Sequence, residues 1–527
     1  MPAWSLAVMD AGWAAAFAVS RRGKMPHTWE NSMTHPDPYP KLHARFRDAA
    51  LLRSTESVLG WDQETGLPPK ANGWRAEQLS YLSGQVHRLI TAPEVGDWLG
   101  RSEAMVFPEE SVQAVNLRGW RRDFDLVTKL PAVLVEEFSR TTSQGMHVWA
   151  AARKGSDFAA FQPVLEKLVR LCQEKADHFG WTTCRYDALM DLYEPGARSA
   201  EIGALFATLG PEISSLIGPA MEKAAAAPEN LLAGHYPVAA QQAFNREVAE
   251  AIGFDFEAGR IDTTTHPFCT GLGPGDTRLT TRYDEEDFLG SLYGVLHEAG
   301  HGLYDQGLNA DEWGLPAGEA ASLGIHESQS RLWENHIGGS DDFWQHWHPR
   351  ACHHFPGLKS FTPEQVAAAA RRVSPSLIRV EADEVTYDLH IILRFELERD
   401  LINGTLAVKD VPEAWAVRFK ELLGLTVPDH ARGCLQDIHW SMGSLGYFCT
   451  YTLGNLNASQ LMRAARREMP SLDAELAAGS YQNLLGWLRC RIHAPGRSFD
   501  PPELMHRATG DTTQTNCHLD YLKAKFL

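Results

Sequence analysis

From about Tyr39 onward, apolar residues return every third or fourth position. Leu42, Phe46, Ala49 and Leu52 form one such stripe, the period of a helix with one buried face. Further stripes run through Phe161–Cys172, through Ala200–Met221, and through Val385, Leu389, Ile392, Leu393 and Leu397. Gly66-Leu-Pro-Pro69, Glu194-Pro-Gly196 and Gly271-Leu-Gly-Pro-Gly275 punctuate the pattern as turns. One stretch departs from it. Thr277-Arg-Leu-Thr-Thr-Arg-Tyr283 is β-branched and alternating, which places Arg278, Thr280 and Arg282 on one face of a strand. Ile261–Cys269, across the Gly/Pro turn, is expected to pair with it as a small sheet.

No internal repeat, low-complexity linker or shift of composition divides the chain. Residues 37–527 are therefore expected to form one large unit of the mainly α class. Residues 1–36 stand apart. Ala3 to Val19 is apolar, but Asp10 interrupts it and Arg21, Arg22 and Lys24 follow it. A secretory signal carries its positive charges ahead of the apolar stretch, and a membrane helix needs about 20 clean apolar residues. This N-terminal extension reads as disordered, or as a translation start placed ahead of Met25 or Met33. No other segment approaches a transmembrane length.

Composition narrows the partners. A formal net charge of −18 argues against a nucleic acid, because phosphate binding needs an excess of Lys and Arg. The eight cysteines lie at scattered spacings with no C-x-x-C pair. In a chain this long they read as reduced, mostly buried thiols of a cytoplasmic protein.

The chemistry concentrates at Leu296-His-Glu-Ala-Gly-His-Gly302, which contains H-E-x-x-H. Phe288, Leu292, Val295, Ala299 and Leu303 give this segment a buried stripe, and a helix is expected to start near Asp284, with Asp287 in its first turn. On that helix His297 and His301 project from one face and can hold one Zn²⁺ through imidazole nitrogens. Glu298 lies beside that face, placed to act on a water rather than on the metal, as in metallopeptidases with this motif. The extended pattern with a third histidine fails, since Tyr304 and Gly307 occupy its Gly and His positions. A further ligand must come from the next helical stretch, where spacing leaves Glu319, Glu327, Glu334 and His326 open. His346-Trp-His348 to His353-His354 has no regular ligand spacing and reads as a bystander.

Beyond this motif the sequence resembles the Taq-type thermostable carboxypeptidases along about residues 39–527. His266-Pro-Phe268 is similar to that family's H-P-F, and Asp276-Thr-Arg-Leu-Thr280 to its D-x-R-x-T. His297–His301 follows, then His326-Glu-Ser-Gln329 as H-E-S-Q, Ile378-Arg-Val-Glu-Ala-Asp383 as I-R-x-x-A-D, and Gly433-Cys-Leu-Gln-Asp-Ile-His-Trp440 as G-x-x-Q-D-x-H-W. Trp61-Asp62, Tyr186-Asp187 to Tyr193-Glu-Pro-Gly196 and Arg507-Ala-Thr-Gly510 extend the likeness. Cys449 stands where proline is expected, and the first 36 or so residues have no counterpart. The resemblance implies a helical fold with a deep substrate groove, a small sheet near the zinc, and a homodimer. It also implies Glu327 as the third ligand and sequential release of amino acids from peptide C-termini with broad specificity. With those three ligands about one zinc per chain is expected, with Co²⁺ able to substitute.

Within that frame Glu298 is the general base. His439, Tyr447 and Tyr451 are candidate donors to the oxyanion. A terminal carboxylate suits the planar fork of an arginine; Arg379 is the first candidate and Arg278 the second, with Arg379 also able to pair structurally with Asp383. Two other functions remain in comparison: a zinc endo-oligopeptidase with the same ligands, and a catalytically inactive peptide-binding protein.

Overall fold

The computed structural model describes residues 37–225 and 231–527. The expected N-terminal extension lies outside the described residues. Helix follows helix from Tyr39–Thr65 to Asn516–Phe526, and the stripes read above are their buried faces: Leu42, Phe46 and Ala49 are in the core, as are Phe161, Leu165, Leu168 and Cys172. Among the described residues three apolar clusters result. One gathers the first helices around Trp120. A second joins Phe158–Phe179, Ser199–Ala224 and Tyr387–Asn403. The third surrounds Phe288–Asp305.

Helix Cys449–Glu468 binds the second and third clusters together. Its first half, through Leu456, belongs to one and its second half, from Ala458, to the other. Cys449, at its first turn, is fully buried. All eight cysteines are free thiols. No helix of the described residues is long and apolar enough to cross a membrane.

The sheet has three strands rather than the expected pair. β1 (Gly259–Thr263) runs parallel to β3 (Asp276–Thr281), and β2 (Cys269–Gly273) runs antiparallel to it, in the order β1-β3-β2. The segment Ile261–Cys269 is thus split between two strands on opposite edges of β3. Pro267, which lacks the N–H a ladder needs, falls in the break. Gly271–Gly273 extends β2, so the turn narrows to Pro274-Gly275, where Gly275 takes φ +81°. Thr280 faces inward and bonds both the N–H and the carbonyl of Phe268, at 2.7 and 3.0 Å.

A cavity of ≈ 690 Å³ opens between helix Tyr39–Thr65, β2 and the end of Phe288–Asp305, reaching inward to Asp305 and His326.

Candidate metal centre

The helix that carries H-E-x-x-H spans Phe288–Asp305. It is capped by Asp287, whose carboxylate accepts from the Gly290 N–H at 3.1 Å. Asp284, the expected cap, instead closes a local turn through the Glu286 N–H. Phe288, Leu292, Val295, Ala299 and Leu303 are all buried, so the opposite face turns His297 and His301 toward the next helix, Leu323–Arg331.

That second helix is clasped between two glycines. A Cβ on Gly300 of the metal helix would lie 2.6 Å from the Gln329 carbonyl oxygen, and a Cβ on Gly454 would lie 2.5 Å from Cγ of Glu327. Both backbones therefore approach as only glycine permits. The start of the helix is fixed by Ser322, which caps Ile325, and by the buried Glu194, which accepts from the Ser322 hydroxyl and the Gly324 N–H at 3.0 Å each.

The result is a convergence of three donor atoms. Glu327 Oε2 lies 3.7 Å from His297 Nε2 and 3.5 Å from His301 Nε2. Ligand atoms of all three residues fall within 4.8 Å of one another, which makes them a group able to hold a metal ion among the described residues. The other ring nitrogens face orienting partners. His297 Nδ1 meets Glu334 Oε2 at 2.8 Å, and His301 Nδ1 meets His326 Nδ1 at 2.6 Å, with His326 Nε2 on Asp305 Oδ1 at 3.1 Å. Donation along these contacts puts each proton on Nδ1 and leaves Nε2 as a lone pair, the form a metal needs.

Electrostatics separate the three groups. Burial pushes the His301 imidazole down to about 4, so it is neutral near pH 7. Burial also opposes charge on His297, but Glu327 and Glu334 outweigh it and hold this group above its ordinary value. Burial works against ionisation of Glu327 too; Arg331, at 2.8 Å from Oε1, and the two histidines overcome it and hold the carboxyl low. Two imidazoles and an ionised carboxylate on a shared point fit a divalent metal of the zinc type.

Glu298 is placed differently. It is buried, its Oε2 has no hydrogen-bond partner among the described residues, and burial pushes its carboxyl up to about 7. Of the alternatives that spacing left open, Glu319 pairs with Arg497 at 2.6 Å, while Glu334 and His326 stand behind the two histidines. The His346–His354 segment contributes to no such cluster among the described residues.

The carboxylate-recognition candidates separate. Arg379 is buried, with Nε and Nη2 on Asp437 Oδ1 at 3.0 and 2.6 Å and Nη1 on Tyr387 Oη at 3.2 Å. Asp437 also binds Arg394, at 2.6 Å. The expected alternative, a pair between Arg379 and Asp383, does not form. Arg379–Glu381 is a single 3-10 turn, and Asp383 caps the N–H groups of Val385 and Thr386. Tyr447 and Tyr451 stack edge-on at 5.4 Å, and Tyr451 lies under the Arg379 guanidinium. Tyr451 shares its helix with Gly454, which packs on Glu327, and Arg331 lies over the Tyr387 ring at 4.5 Å, so this cluster borders the metal centre; burial raises Tyr447, and the charge of Glu327 raises it further. His439 packs on Phe448 and Tyr447, and burial pushes it down to about 3. Arg278 is elsewhere, on β3, paired with Asp276 at 2.8 Å and stacked over Trp61.

Spacing marked Glu334 and His326 only as possible ligands, not as orienting groups, and gave no sign of the roles of Arg331, Asp305, Tyr387 and Asp437. Only Arg331 left a local trace, as a cation four residues after Glu327 on one helix.

Two imidazoles and a carboxylate able to hold a metal ion, set between two buried helices with a buried carboxyl beside them, are the features of a metallopeptidase site. Residues 41–526 match the carboxypeptidase Taq (M32) metallopeptidase family, and the chain belongs to it. It is 41% identical over 508 residues to thermostable carboxypeptidase 1 of Thermus thermophilus, covering 94% of this chain and 99% of that one. The fold superposes on the crystal structure of an M32 carboxypeptidase from Deinococcus radiodurans with TM-score 0.90, at 38% identity, over 93% of this chain and 98% of the other. A Pyrococcus furiosus carboxypeptidase structure matches with TM-score 0.90, at 33% identity, over 94% and 100%. The chain is accordingly a metallocarboxypeptidase, a hydrolase with a metal cofactor that acts on peptides. The mainly helical fold with its small sheet is the one expected. Neither the endo-oligopeptidase nor the inactive peptide-binding reading is the one its family supports.

Proposed function

We propose that this enzyme uses one zinc ion per chain, held by His297, His301 and Glu327, to remove amino acids one at a time from peptide C-termini. The observation that carries this reading is the meeting of His297 Nε2, His301 Nε2 and Glu327 Oε2, with the buried carboxyl of Glu298 next to them on the same helix as the two histidines. When bound, zinc supplies Lewis-acid polarisation of the scissile carbonyl and of the attacking water.

The remaining roles fall to the chain itself. Glu298 accepts the proton of the attacking water and delivers it to the leaving amine, a task suited to a carboxyl poised near 7. Glu334 and His326 keep the histidines in the Nδ1–H form. Tyr447, Tyr451 and His439 are proposed to donate to the developing oxyanion. Arg379 is proposed to receive the terminal carboxylate, with Arg278 as the second choice. The negative net charge and the free thiols support a cytoplasmic enzyme with no nucleic-acid partner. A homodimer and replacement of zinc by Co²⁺ belong to the same proposal.

Elemental analysis tests the core of it. Protein purified without chelator is expected to hold about one zinc per chain, and dialysis against a chelator should abolish release of C-terminal residues until Zn²⁺ or Co²⁺ is returned. Undiminished activity in metal-free protein would reject the reading.

A further inference from the structure

Glu334 reaches His297 from a stretch wound more widely than an α-helix. Directly after Leu323–Arg331 the chain continues as a π-helical turn, Leu332–Gly338. In this turn the Gly339 N–H goes to the Glu334 carbonyl at 3.0 Å, and the Ser340 N–H turns back to Ile337 at 3.1 Å. Neither serves the Asn335 carbonyl, the residue next to Glu334.

The last helix, Asn516–Phe526, meets that carbonyl instead. Lys525 Nζ donates to Asn335 O at 2.8 Å, and Tyr521 Oη lies 3.1 Å from it. Lys525 is itself fixed by Glu384 at 2.6 Å and by Tyr521 Oη at 2.7 Å, and its side chain is only 7% exposed. The grip continues one residue on. The His336 ring stacks on Tyr521 at 3.8 Å, and its Nε2 meets Ser459 Oγ, which holds His518 of the same last helix at 2.8 Å. Gly339 leaves room for this contact, since a Cβ there would sit 2.5 Å from Lys525 Nζ.

π-turns concentrate at functional sites, and this one carries a carboxylate that orients a candidate ligand. Closing it to α-helical winding removes one residue from the ring and turns side chains across the segment by up to ~100°, which takes Glu334 off His297. We infer that the last helix is a positioning element of the metal centre: Lys525 and Tyr521 hold the π-turn open and so keep the Glu334 carboxylate on His297 Nδ1. The inference rests on His297 being a metal ligand.

The test measures zinc affinity of the full chain by competition with a chromogenic chelator, alongside melting of the metal-free protein. Lys525→Met keeps the apolar stem and removes the ammonium. It is expected to weaken zinc binding about 10–100-fold, as loss of an orienting partner does, with a smaller loss in Tyr521→Phe. In a Glu334→Ala background, which removes the acceptor altogether, Lys525→Met should add no further loss, because both changes break the same bond. A Lys525→Met protein that melts lower yet binds zinc with wild-type affinity overturns the inference, as does a loss that adds in full to that of Glu334→Ala. If Lys525→Met does not fold, Tyr521→Phe decides by the same measurement, and unchanged affinity overturns it. A wild-type protein whose zinc binding survives His297→Ala removes the site reading itself, an outcome distinct from these.

Discussion

Glu298 and Glu327 are buried alike, at 3% and 6% exposure, yet their carboxyl groups are driven in opposite directions. Burial lifts Glu298 to about 7, while Arg331 and the two histidines hold Glu327 low against the same burial. One carboxyl is kept ready to exchange a proton, the other is kept as an anion.

Substitution should separate the two. Glu298→Gln preserves shape but cannot take up a proton, so turnover is expected to fall about 10²–10⁴-fold with zinc still bound. Glu327→Gln removes an anionic donor and should weaken metal retention by more than the roughly 10–100-fold typical of an orienting partner. Zinc lost from Glu298→Gln and kept by Glu327→Gln would reverse the assignment.

What the sequence made legible was local. The stripe from Phe288 to Leu303 and the placement of His297 and His301 on the opposite face need only helical periodicity, and both appear as read. The third donor was not legible from spacing, because a loop of irregular chain separates the two helices. What selects Glu327 is packing: Gly300 and Gly454 let its helix approach from both sides. The partner of Arg379 was misjudged for a related reason. Helical spacing pointed to Asp383, but the backbone is extended at Ala382, and the true partner, Asp437, comes from a distant segment. The sheet was half legible, since alternation marks β3 but carries no information about which edges its neighbours take.

The packing argument gives its own prediction. Gly300→Ala places a methyl group 2.6 Å from the Gln329 carbonyl oxygen, a backbone atom that cannot swing aside. Overpacking of this kind costs about 1–3 kcal/mol, and the strain falls directly on the helix that carries Glu327. The variant should melt at lower temperature and bind zinc more weakly, both measurable on purified protein. Wild-type values for both quantities would show that the two helices separate without cost.

Glu194 offers a pH signature away from the metal. Burial pushes its carboxyl up to about 7, against the hydrogen bonds from Ser322 and Gly324; in the unfolded chain it titrates near 4.3. The folded state therefore retains this proton where the unfolded state has lost it. The stabilisation is fully present below about pH 4.3, declines as pH rises, and is lost as pH passes through about 7, a contribution of up to about 4 kcal/mol. Glu194→Gln removes this titration. Denaturant curves of metal-free wild type and variant should diverge in slope between about pH 4.5 and 7 and run parallel above it. Parallel curves throughout would mean that Glu194 titrates alike in both states.

The last prediction concerns the free C-terminus of the substrate. Arg379 and Arg394 share the single carboxylate of Asp437, which leaves one net positive charge in a buried cluster beside Tyr387 and Tyr451. Arg278 has its own carboxylate in Asp276 and leaves none. This imbalance favours Arg379 as the group that receives a terminal carboxylate, because charge-assisted bonds in a dry setting are roughly twice as strong as neutral ones. Amidation of the peptide should then cost about 2–5 kcal/mol, a fall in rate of about 30-fold or more. Free peptides are expected to shorten one residue at a time while amidated ones stay nearly intact, which mass spectrometry of timed digests reads directly. Arg379→Lys should lose most of this discrimination, since an ammonium cannot bind Asp437 and also match a second carboxylate in plane. Arg379→Ala leaves Asp437 paired with Arg394, so the variant should fold and process both peptides at a similar slow rate. If Arg379→Ala still prefers the free terminus, the carboxylate site lies elsewhere and Arg278 is the residue to change. If the wild type cuts amidated peptides internally, recognition of the terminus is not what places the scissile bond.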